Sequence, residues 1–152
     1  MLHILVVCTA NICRSPAGQV FLQHDLQGKD VRVDSAGIMA SVGYQADPIV
    51  RSMVAARGYG EGLENHRSRL LLSSYIPEYD LILCMERFHL DYLRNMSPAT
   101  VGKSMLYGHW ADNREVADPT GESESDYSRA LDEIGKYSTL WADKLVEMGM
   151  AR

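Results

Sequence analysis

The feature that most constrains this chain is a short apolar run followed at once by a compact polar segment. Residues 2–7 are apolar apart from His3, and the segment CTANICRSP occupies residues 8–16. This order predicts a buried strand that turns into a helix, because Ser15 is a good N-cap and Pro16 suits the first helical position. The loop between them should present free backbone N–H groups and the positive end of a helix dipole, which together bind a tetrahedral oxyanion.

The two reactive side chains of this segment predict a nucleophile and an anion clamp. The field that holds an anion also favours the thiolate form of Cys8, which lies at the end of the strand. Arg14 supplies a planar guanidinium that fits two phosphate oxygens, a geometry that lysine cannot copy. Phosphoryl transfer needs an in-line nucleophile and donors for the equatorial oxygens. The segment therefore predicts a cysteine phosphatase that forms a phosphocysteine intermediate.

The other residues of the segment are predicted to shape the loop. Ser15 should cap the helix and donate a hydrogen bond to the Cys8 sulfur, and Asn11 tolerates the left-handed backbone angles of a tight loop. In a competing interpretation Cys8 is a buried thiol and Ser15 an ordinary cap, which requires several residue types to coincide by chance. The predicted phosphate-binding loop consists of Thr9, Ala10, Asn11, Ile12, Cys13, Arg14 and Ser15.

Composition excludes several classes of protein. The chain has 152 residues, 46% of them apolar, which suits one compact domain over residues 1–152. A net charge of −5 argues against a nucleic-acid partner. The apolar start is too short for a membrane-spanning helix and lacks the features of a signal peptide. Three cysteines without a CxxC spacing predict neither a disulfide framework nor a zinc site, so we expect no cofactor or metal and a cytoplasmic location.

The remaining sequence alternates strand and helix signals, which predicts an α/β fold with a parallel sheet. Strands are predicted at residues 2–7, 31–34, 79–85 and 104–107, and helices at 15–27, 47–58, 68–74, 86–95 and 123–148. Ligands of such sheets bind at the carboxyl ends of the strands, where the chain order places Cys8.

A proton donor for the leaving group must come from another segment, and Asp118-Pro119 is the candidate. An aspartate on a loop can protonate the departing oxygen and then activate water. The alternative is a simple turn, because Asp-Pro is common in loops. The same dipeptide at Asp47-Pro48 is better explained as the start of a helix.

The Cys8-x5-Arg14-Ser15 segment, with Asp118-Pro119 about 110 residues later, resembles the low-molecular-weight protein tyrosine phosphatase family. The resemblance covers nearly the whole chain and includes DSAG at 34–37, ADP at 46–48, HRSR at 66–69, YDLILCM at 79–85 and GHW at 108–110. The GHW segment is most similar to the Gram-negative branch, whose members act with tyrosine autokinases in capsule and exopolysaccharide export.

The resemblance implies a specific fold, site and partner. The fold is a three-layer sandwich, in which a four-stranded parallel sheet of order 2-1-3-4 has helices on both faces and the phosphate loop follows strand 1. Asn11, Ser35 and His66 form a hydrogen-bond network that braces the loop. The substrate is a phosphotyrosine protein, expected to be the cytoplasmic domain of a membrane tyrosine autokinase, and inorganic phosphate is the product.

Two residues depart from the family pattern around the substrate cleft. The family usually follows Asp-Pro with an aromatic residue that forms one wall of the cleft, and this chain has Thr120. The opposite wall, aromatic in eukaryotic members, falls at Ser41. Each missing ring removes stacking worth about 0.5–1.5 kcal/mol. Tyr44, Trp110 and Tyr127 are the alternatives for a replacement ring, and the sequence does not choose among them.

Other interpretations of the same residues remain open at this stage. Cys13 is either a small buried side chain or a resolving thiol that traps oxidised Cys8 as a disulfide, a behaviour known in the family. Arsenate reductases of this fold relay oxidation through two further cysteines after the third strand. In this chain only Cys84, which is expected in the core, lies in that part of the sequence. Protein arginine phosphatases of the family have threonine where this chain has Ile12, which favours an ester substrate. A non-catalytic phosphoprotein-binding module would lack the nucleophile or the acid, and both are present.

Overall fold

The computed structural model describes residues 1–60 and 62–152. Four parallel strands form one sheet in the order β2-β1-β3-β4, which confirms the predicted fold class and strand order. The strands are β1 (Leu2–Cys8), β2 (Val31–Gly37), β3 (Leu81–Cys84) and β4 (Ser104–Leu106). The helices are α1 (Arg14–Asp25), α2 (Pro48–Val54), α3 (Arg87–Met96) and α4 (Glu124–Glu147).

Shorter helical segments connect these elements. A π-helical stretch at Ala55–Tyr59 extends α2, and 3-10 helices lie at Ser73–Glu78 and Pro98–Thr100. None of the helices in the described part of the chain has the length and apolar character that crossing a bilayer requires.

Strand β1 lies in the middle of the molecule and is buried on both faces. Ile4 and Val6 belong to a core cluster that also contains residues of α1 and α4, whereas Leu5 and Val7 belong to a second cluster with residues of α3 and the first 3-10 helix. All four are fully buried. Burial of one such side chain stabilises the fold by about 1.5–3 kcal/mol. The apolar run that opens the sequence therefore joins the layers on the two faces of the sheet.

The topology places the end of β1 where a ligand site is expected. The chain leaves β1 for β2 on one side of the sheet, and β3 later pairs with β1 on the other side. The crevice at the carboxyl edge between these connections is the usual ligand position in an open α/β sheet. Cys8 is the last residue of β1 and lies at this point.

The predicted helix start at Asp47-Pro48 is confirmed. The Asp47 carboxylate accepts a hydrogen bond from the Ile49 N–H at 2.8 Å, and Pro48 is the first helical residue. The Tyr127 hydroxyl donates to the other Asp47 oxygen at 2.8 Å, and the Asp47 N–H donates to the Ile12 carbonyl at 2.8 Å. The start of α2 is thus bonded both to α4 and to the loop that follows β1.

One local prediction is wrong. The segment 68–74 is not a helix, because its backbone pairs with the end of β2: the Gly37 N–H donates to the Arg69 carbonyl and the Leu71 N–H donates to the Gly37 carbonyl, each at 2.9 Å. The 3-10 helix begins only at Ser73.

Gly37 brings β2 into direct contact with the loop after β1. A Cβ atom on this residue would lie 2.5 Å from the Thr9 carbonyl oxygen and 2.9 Å from the Asn11 nitrogen. Carbon atoms do not approach backbone atoms this closely, so the loop can occupy its position only above a glycine. The fold and the shape of the loop therefore depend on the same contact.

Replacing Gly37 by alanine is expected to destabilise the protein, because the loop and β2 must separate. We expect the free energy of unfolding to fall by about 1–3 kcal/mol, the usual cost of overpacking. Gly102→Ala is the matched control, because a Cβ there meets no atom within 4 Å. Urea unfolding of the two variants checks this, and equal stability would contradict the contact.

Candidate active site

The loop between β1 and α1 surrounds the Cys8 sulfur with donors. The Ser15 Oγ lies 3.0 Å from the Cys8 Sγ, and the Asn11 N–H donates to the same sulfur at 3.3 Å. The Asn11 side-chain amide donates to the Ser15 Oγ at 2.8 Å, which leaves the Ser15 proton free to point at the sulfur. The loop therefore directs the Ser15 hydroxyl and the Asn11 amide at the sulfur.

Ser15 is not the helix cap that the sequence predicted. Helix α1 begins at Arg14, with Cys13 at the N-cap position and no capping hydrogen bond from its side chain. Ser15 is the second residue of the helix, and its hydroxyl is occupied by Cys8 and Asn11 instead of a backbone amide. The first-turn amides therefore lack a side-chain cap and are available to an anion.

Asn11 adopts the left-handed conformation that was expected, with φ of 57°. Its side chain is fully buried and donates to the Ser35 Oγ at 2.9 Å, while its Oδ1 accepts from the Arg69 N–H at 2.9 Å. The His66 Nε2 donates to the Asn11 carbonyl at 2.7 Å, and burial lowers the pKa of His66. The structure thus brings together the three residues of the proposed network, and Arg69 joins them through its backbone.

Arg14 is almost completely buried and links three parts of the chain. Its Nη1 donates to Glu86 Oε2 and to the Val116 carbonyl, each at 2.7 Å. Its Nη2 lies 3.9 Å from Asp118 Oδ2. Glu86 and Val116 were not found from the sequence. The available signal for Glu86 was its position directly beyond a buried strand, at the same edge of the sheet as Cys8.

Asp118 faces Arg14 with one carboxylate oxygen and Thr120 with the other. Its Oδ1 accepts hydrogen bonds from the Thr120 N–H at 3.1 Å and from the Thr120 hydroxyl at 2.7 Å. Its side chain is 48% exposed, so Oδ2 remains accessible beside Arg14. Thr120, predicted as a cleft wall, therefore holds the carboxylate of Asp118.

A cleft of about 660 Å³ opens beside the loop. The residues that line it are Ala10, Ile12, Met39, Ser41, Gly43, Tyr44, Gln45, Ala46, Asp47, Pro48 and Arg51. Tyr44 supplies an aromatic ring to this lining and is 63% exposed. Ser68 fixes its backbone, since the Ser68 Oγ accepts from the Tyr44 N–H at 2.8 Å and the Ser68 N–H donates to the Tyr44 carbonyl at 2.7 Å.

The other two candidate rings lie elsewhere. Tyr127 is buried and its hydroxyl donates to Asp47; burial, and then this hydrogen bond, raise the pKa of Tyr127 to about 12. Trp110 packs edge-on against Trp141, with ring centroids 5.5 Å apart. Among the three alternatives, Tyr44 is the one on the cleft.

The remaining cysteines are free and buried. Burial, and then the charge of neighbouring Cys8, raise the pKa of Cys13, so this thiol is protonated. Its service as a resolving thiol stays a prediction. Cys84 is fully buried in β3, as expected for a core residue.

Thr9, the residue directly after Cys8, is held from two sides. Its carbonyl accepts from the Met39 N–H at 2.9 Å, and its hydroxyl lies 2.9 Å from the His89 Nε2. His89 was also missed from the sequence, because a histidine on a helix carries no local signal of a contact with a loop 80 residues away.

The comparison with known proteins agrees with this geometry. The family model for low molecular weight phosphotyrosine protein phosphatases matches residues 3–150. A putative low molecular weight protein-tyrosine-phosphatase of Klebsiella pneumoniae is 41% identical over 142 residues, which cover 93% of this chain and 96% of the relative.

Solved structures show the same architecture. The tyrosine phosphatase Wzb from Escherichia coli K30 in complex with sulphate has a TM-score of 0.88 at 37% identity, covering 95% of this chain and 99% of Wzb. The YwlE arginine phosphatase from Geobacillus stearothermophilus has a TM-score of 0.89 at 28% identity, covering 99% of this chain and 96% of YwlE. Together with the matched family model, these similarities show that the chain belongs to the low-molecular-weight protein tyrosine phosphatase family.

Proposed function

We propose that this protein tyrosine phosphatase hydrolyses its substrate in two steps through a phosphocysteine on Cys8. The observation that carries the proposal is the position of the Cys8 sulfur, at the end of β1 and within hydrogen-bond distance of Ser15 and the Asn11 amide. Arg14 and Asp118 stand together at the same site. This set supplies a nucleophile, a cation and an acid.

The substrate phosphate binds in the loop between β1 and α1. The uncapped first turn of α1 and the Arg14 guanidinium provide donors and positive charge for its equatorial oxygens. Glu86 and Val116 occupy Nη1 of Arg14, which fixes the plane of the guanidinium and leaves its other nitrogens for the anion. The sulphate complex of the Wzb relative supports a tetrahedral oxyanion in this family site.

In the first step the Cys8 sulfur attacks phosphorus, and the bond from phosphorus to the tyrosine oxygen breaks. Asp118 gives its proton to the departing phenoxide. In the second step the Asp118 carboxylate takes a proton from water as that water attacks phosphorus, and the sulfur–phosphorus bond breaks. Ser15 and the Asn11 amide stabilise the thiolate that leaves, and inorganic phosphate is released.

The cleft favours an aryl ester over phosphoarginine. Ile12 and Tyr44 line it, and an apolar side chain beside an exposed ring suits the phenyl group of phosphotyrosine. The fold itself does not discriminate, because an arginine phosphatase matches it as well as Wzb does. Arsenate reduction is disfavoured because Cys84 is sealed inside the sheet, where burial raises the pKa of its thiol.

We also propose that the substrate is a phosphotyrosine segment in the cytoplasmic domain of a membrane tyrosine autokinase, and that the enzyme acts in the cytoplasm in polysaccharide export. The similarity to Wzb and to the Klebsiella protein, both named as protein-tyrosine-phosphatases, supports a phosphotyrosine substrate, and the autokinase and the export pathway follow from the resemblance of the GHW segment to the Gram-negative branch. Assay of a phosphopeptide panel containing phosphotyrosine, phosphoserine and phosphoarginine, beside an arsenate assay, tests the substrate class. Turnover of phosphoarginine or arsenate without phosphotyrosine would overturn it.

Cys8→Ser should abolish turnover, because a serine hydroxyl is a far weaker nucleophile without its own base. Phosphate binding should remain measurable by calorimetry, since the amides and Arg14 are unchanged. In the wild-type enzyme, iodoacetate should alkylate Cys8 at mildly acidic pH, and phosphate should protect it. Buried Cys84 is the internal control and should stay unmodified. Substantial turnover by the serine variant would contradict the covalent mechanism.

Asp118→Asn should slow hydrolysis of phenyl phosphate by about 10²–10⁴-fold and that of 4-nitrophenyl phosphate much less, because a good leaving group needs no proton. The fall in rate at high pH should flatten, since asparagine has no proton to lose. Asp143→Asn on the exposed face of α4 is the control. Equal, small losses on both esters would reduce Asp118 to a turn residue.

Tyr44→Ala should raise KM for phosphotyrosine peptides by a few-fold to roughly tenfold with little change in kcat, because the ring contacts ground and transition states alike. Tyr92→Ala, an aromatic truncation on α3, is the control and should leave KM unchanged. Steady-state kinetics of both variants on one phosphotyrosine peptide measures KM and kcat. An unchanged KM in the Tyr44 variant would show that this ring does not contact the substrate.

A further inference from the structure

The loop between β1 and α1 is held by contacts on both sides of β1, towards β2 and towards β3. On the β2 side, Ser35 and the segment 66–69 hold Asn11. On the β3 side, the fully buried ring of His89 on α3 reaches Thr9. The brace on the β2 side is part of the family resemblance, whereas nothing in the sequence pattern gave His89 a role.

The proton positions on His89 follow from its partners. The Glu86 backbone N–H donates to the Nδ1 atom at 3.0 Å, and a backbone amide can only donate. The Nδ1 atom therefore carries no proton, and the neutral ring has its proton on Nε2. That proton is donated to the Thr9 hydroxyl, whose oxygen is 2.9 Å away.

The same ring is connected to the far end of the loop. Glu86, whose amide is bonded to His89, holds Arg14 through its carboxylate at 2.7 Å. Thr9 follows the nucleophile directly and Arg14 closes the Cys8-x5-Arg14 segment. One imidazole thus links the residue at the start of the loop with the residue that fixes the arginine at its end.

We propose that His89 is a positioning residue of the phosphatase site: its neutral imidazole joins Thr9 to Glu86 and so holds the two ends of the loop in the anion-binding geometry. The inference rests on the proposed function insofar as that loop is the catalytic site. His89 touches neither substrate nor sulfur and acts through Thr9 and Glu86.

The electrostatics of the ring are consistent with this assignment. Burial, and then the charge of Arg14, lower the pKa of His89 to about 4, while Glu115 and Asp118 act in the opposite direction. The ring is therefore neutral at neutral pH and keeps one nitrogen as acceptor and one as donor.

Two amide substitutions separate the contacts of the ring. In His89→Asn the side-chain oxygen falls near the Nδ1 position and can accept from Glu86, but the side chain is too short to reach Thr9. In His89→Gln the side-chain nitrogen falls near the Nε2 position and can donate to Thr9. Thr9→Val removes the hydroxyl without creating a cavity, and Thr9→Ser retains it.

The readouts are the rate of Cys8 alkylation by iodoacetate, its protection by inorganic phosphate, and kcat/KM for 4-nitrophenyl phosphate. We expect His89→Asn and Thr9→Val each to lower kcat/KM and the alkylation rate about tenfold, which corresponds to about 1.4 kcal/mol. His89→Gln should lose about as much, because it breaks the contact of the ring with the Glu86 amide, whereas Thr9→Ser should lose less than about threefold. The double variant His89→Asn/Thr9→Val should also lose only about tenfold, because the two substitutions remove the same hydrogen bond between Thr9 and His89.

Ser138→Ala is the matched structural control. The buried Ser138 hydroxyl donates to Asp25 at 2.7 Å and joins α4 to α1 away from the loop. Its loss should lower the midpoint of thermal unfolding without changing alkylation or phosphate protection. A purely structural role for His89 would give that same pattern, with stability reduced and Cys8 unaffected.

Three results would overturn the inference: wild-type alkylation in both His89→Asn and Thr9→Val, wild-type alkylation in His89→Gln, or losses that multiply to about a hundredfold in the double variant. If one variant fails to fold, the other carries the comparison. Alkylation and phosphate protection require no turnover, so they test His89 independently of the covalent mechanism, which Cys8→Ser tests.

Discussion

The conformation of Asn11 is the constraint on which the site depends. A non-glycine residue in the left-handed region costs free energy and persists only where its surroundings fix it. Here β2, the segment 66–69 and α1 supply four partners to its side chain and carbonyl. The resulting turn directs the Asn11 amide at the Cys8 sulfur and orients the Ser15 hydroxyl toward it. Gly37 contributes by its missing side chain, since any Cβ there would occupy the space of this turn.

Arg14 is the second element that couples the fold to the chemistry. A buried guanidinium without a partner would be strongly destabilising, so the bonds to Glu86 and to the Val116 carbonyl stabilise the fold as well as orienting Arg14. Because Glu86 follows β3 and Val116 precedes the Asp118 loop, this one side chain ties three loops at the carboxyl edge of the sheet. His89 extends the connection to Thr9, so both ends of the phosphate loop are anchored to the region after β3.

The strand-to-helix junction predicted the loop with Cys8 and Arg14, because it concentrates its signals within nine residues. The strand order was implied by the family resemblance, and Asp118 was a candidate from an Asp-Pro dipeptide that also fits a simple turn. The sequence did not predict Glu86 or His89, whose contacts with the loop join residues 72 and 80 positions apart. The helix predicted at 68–74 is absent for a related reason. The backbone of this segment pairs with Gly37 at the end of β2, and this distant contact outweighs its local helix preference. Ser15 was predicted as a cap because serine before proline is a common helix start, and the sequence does not show which groups its hydroxyl bonds. In the fold that hydroxyl bonds Cys8 and Asn11 instead of a backbone amide.

The cleft shows how a departure at one position is accommodated at others. An aromatic residue after Asp-Pro would supply a wall, but its ring could not provide the short hydroxyl contact by which Thr120 holds Asp118 Oδ1. That contact orients the carboxylate so that Oδ2 faces Arg14. The ring lost from this side of the cleft is replaced on the loop after β2, where Ser68 fixes the backbone of Tyr44. In the proposed function, orientation of the acid and contact with the substrate ring therefore fall to different loops of this chain.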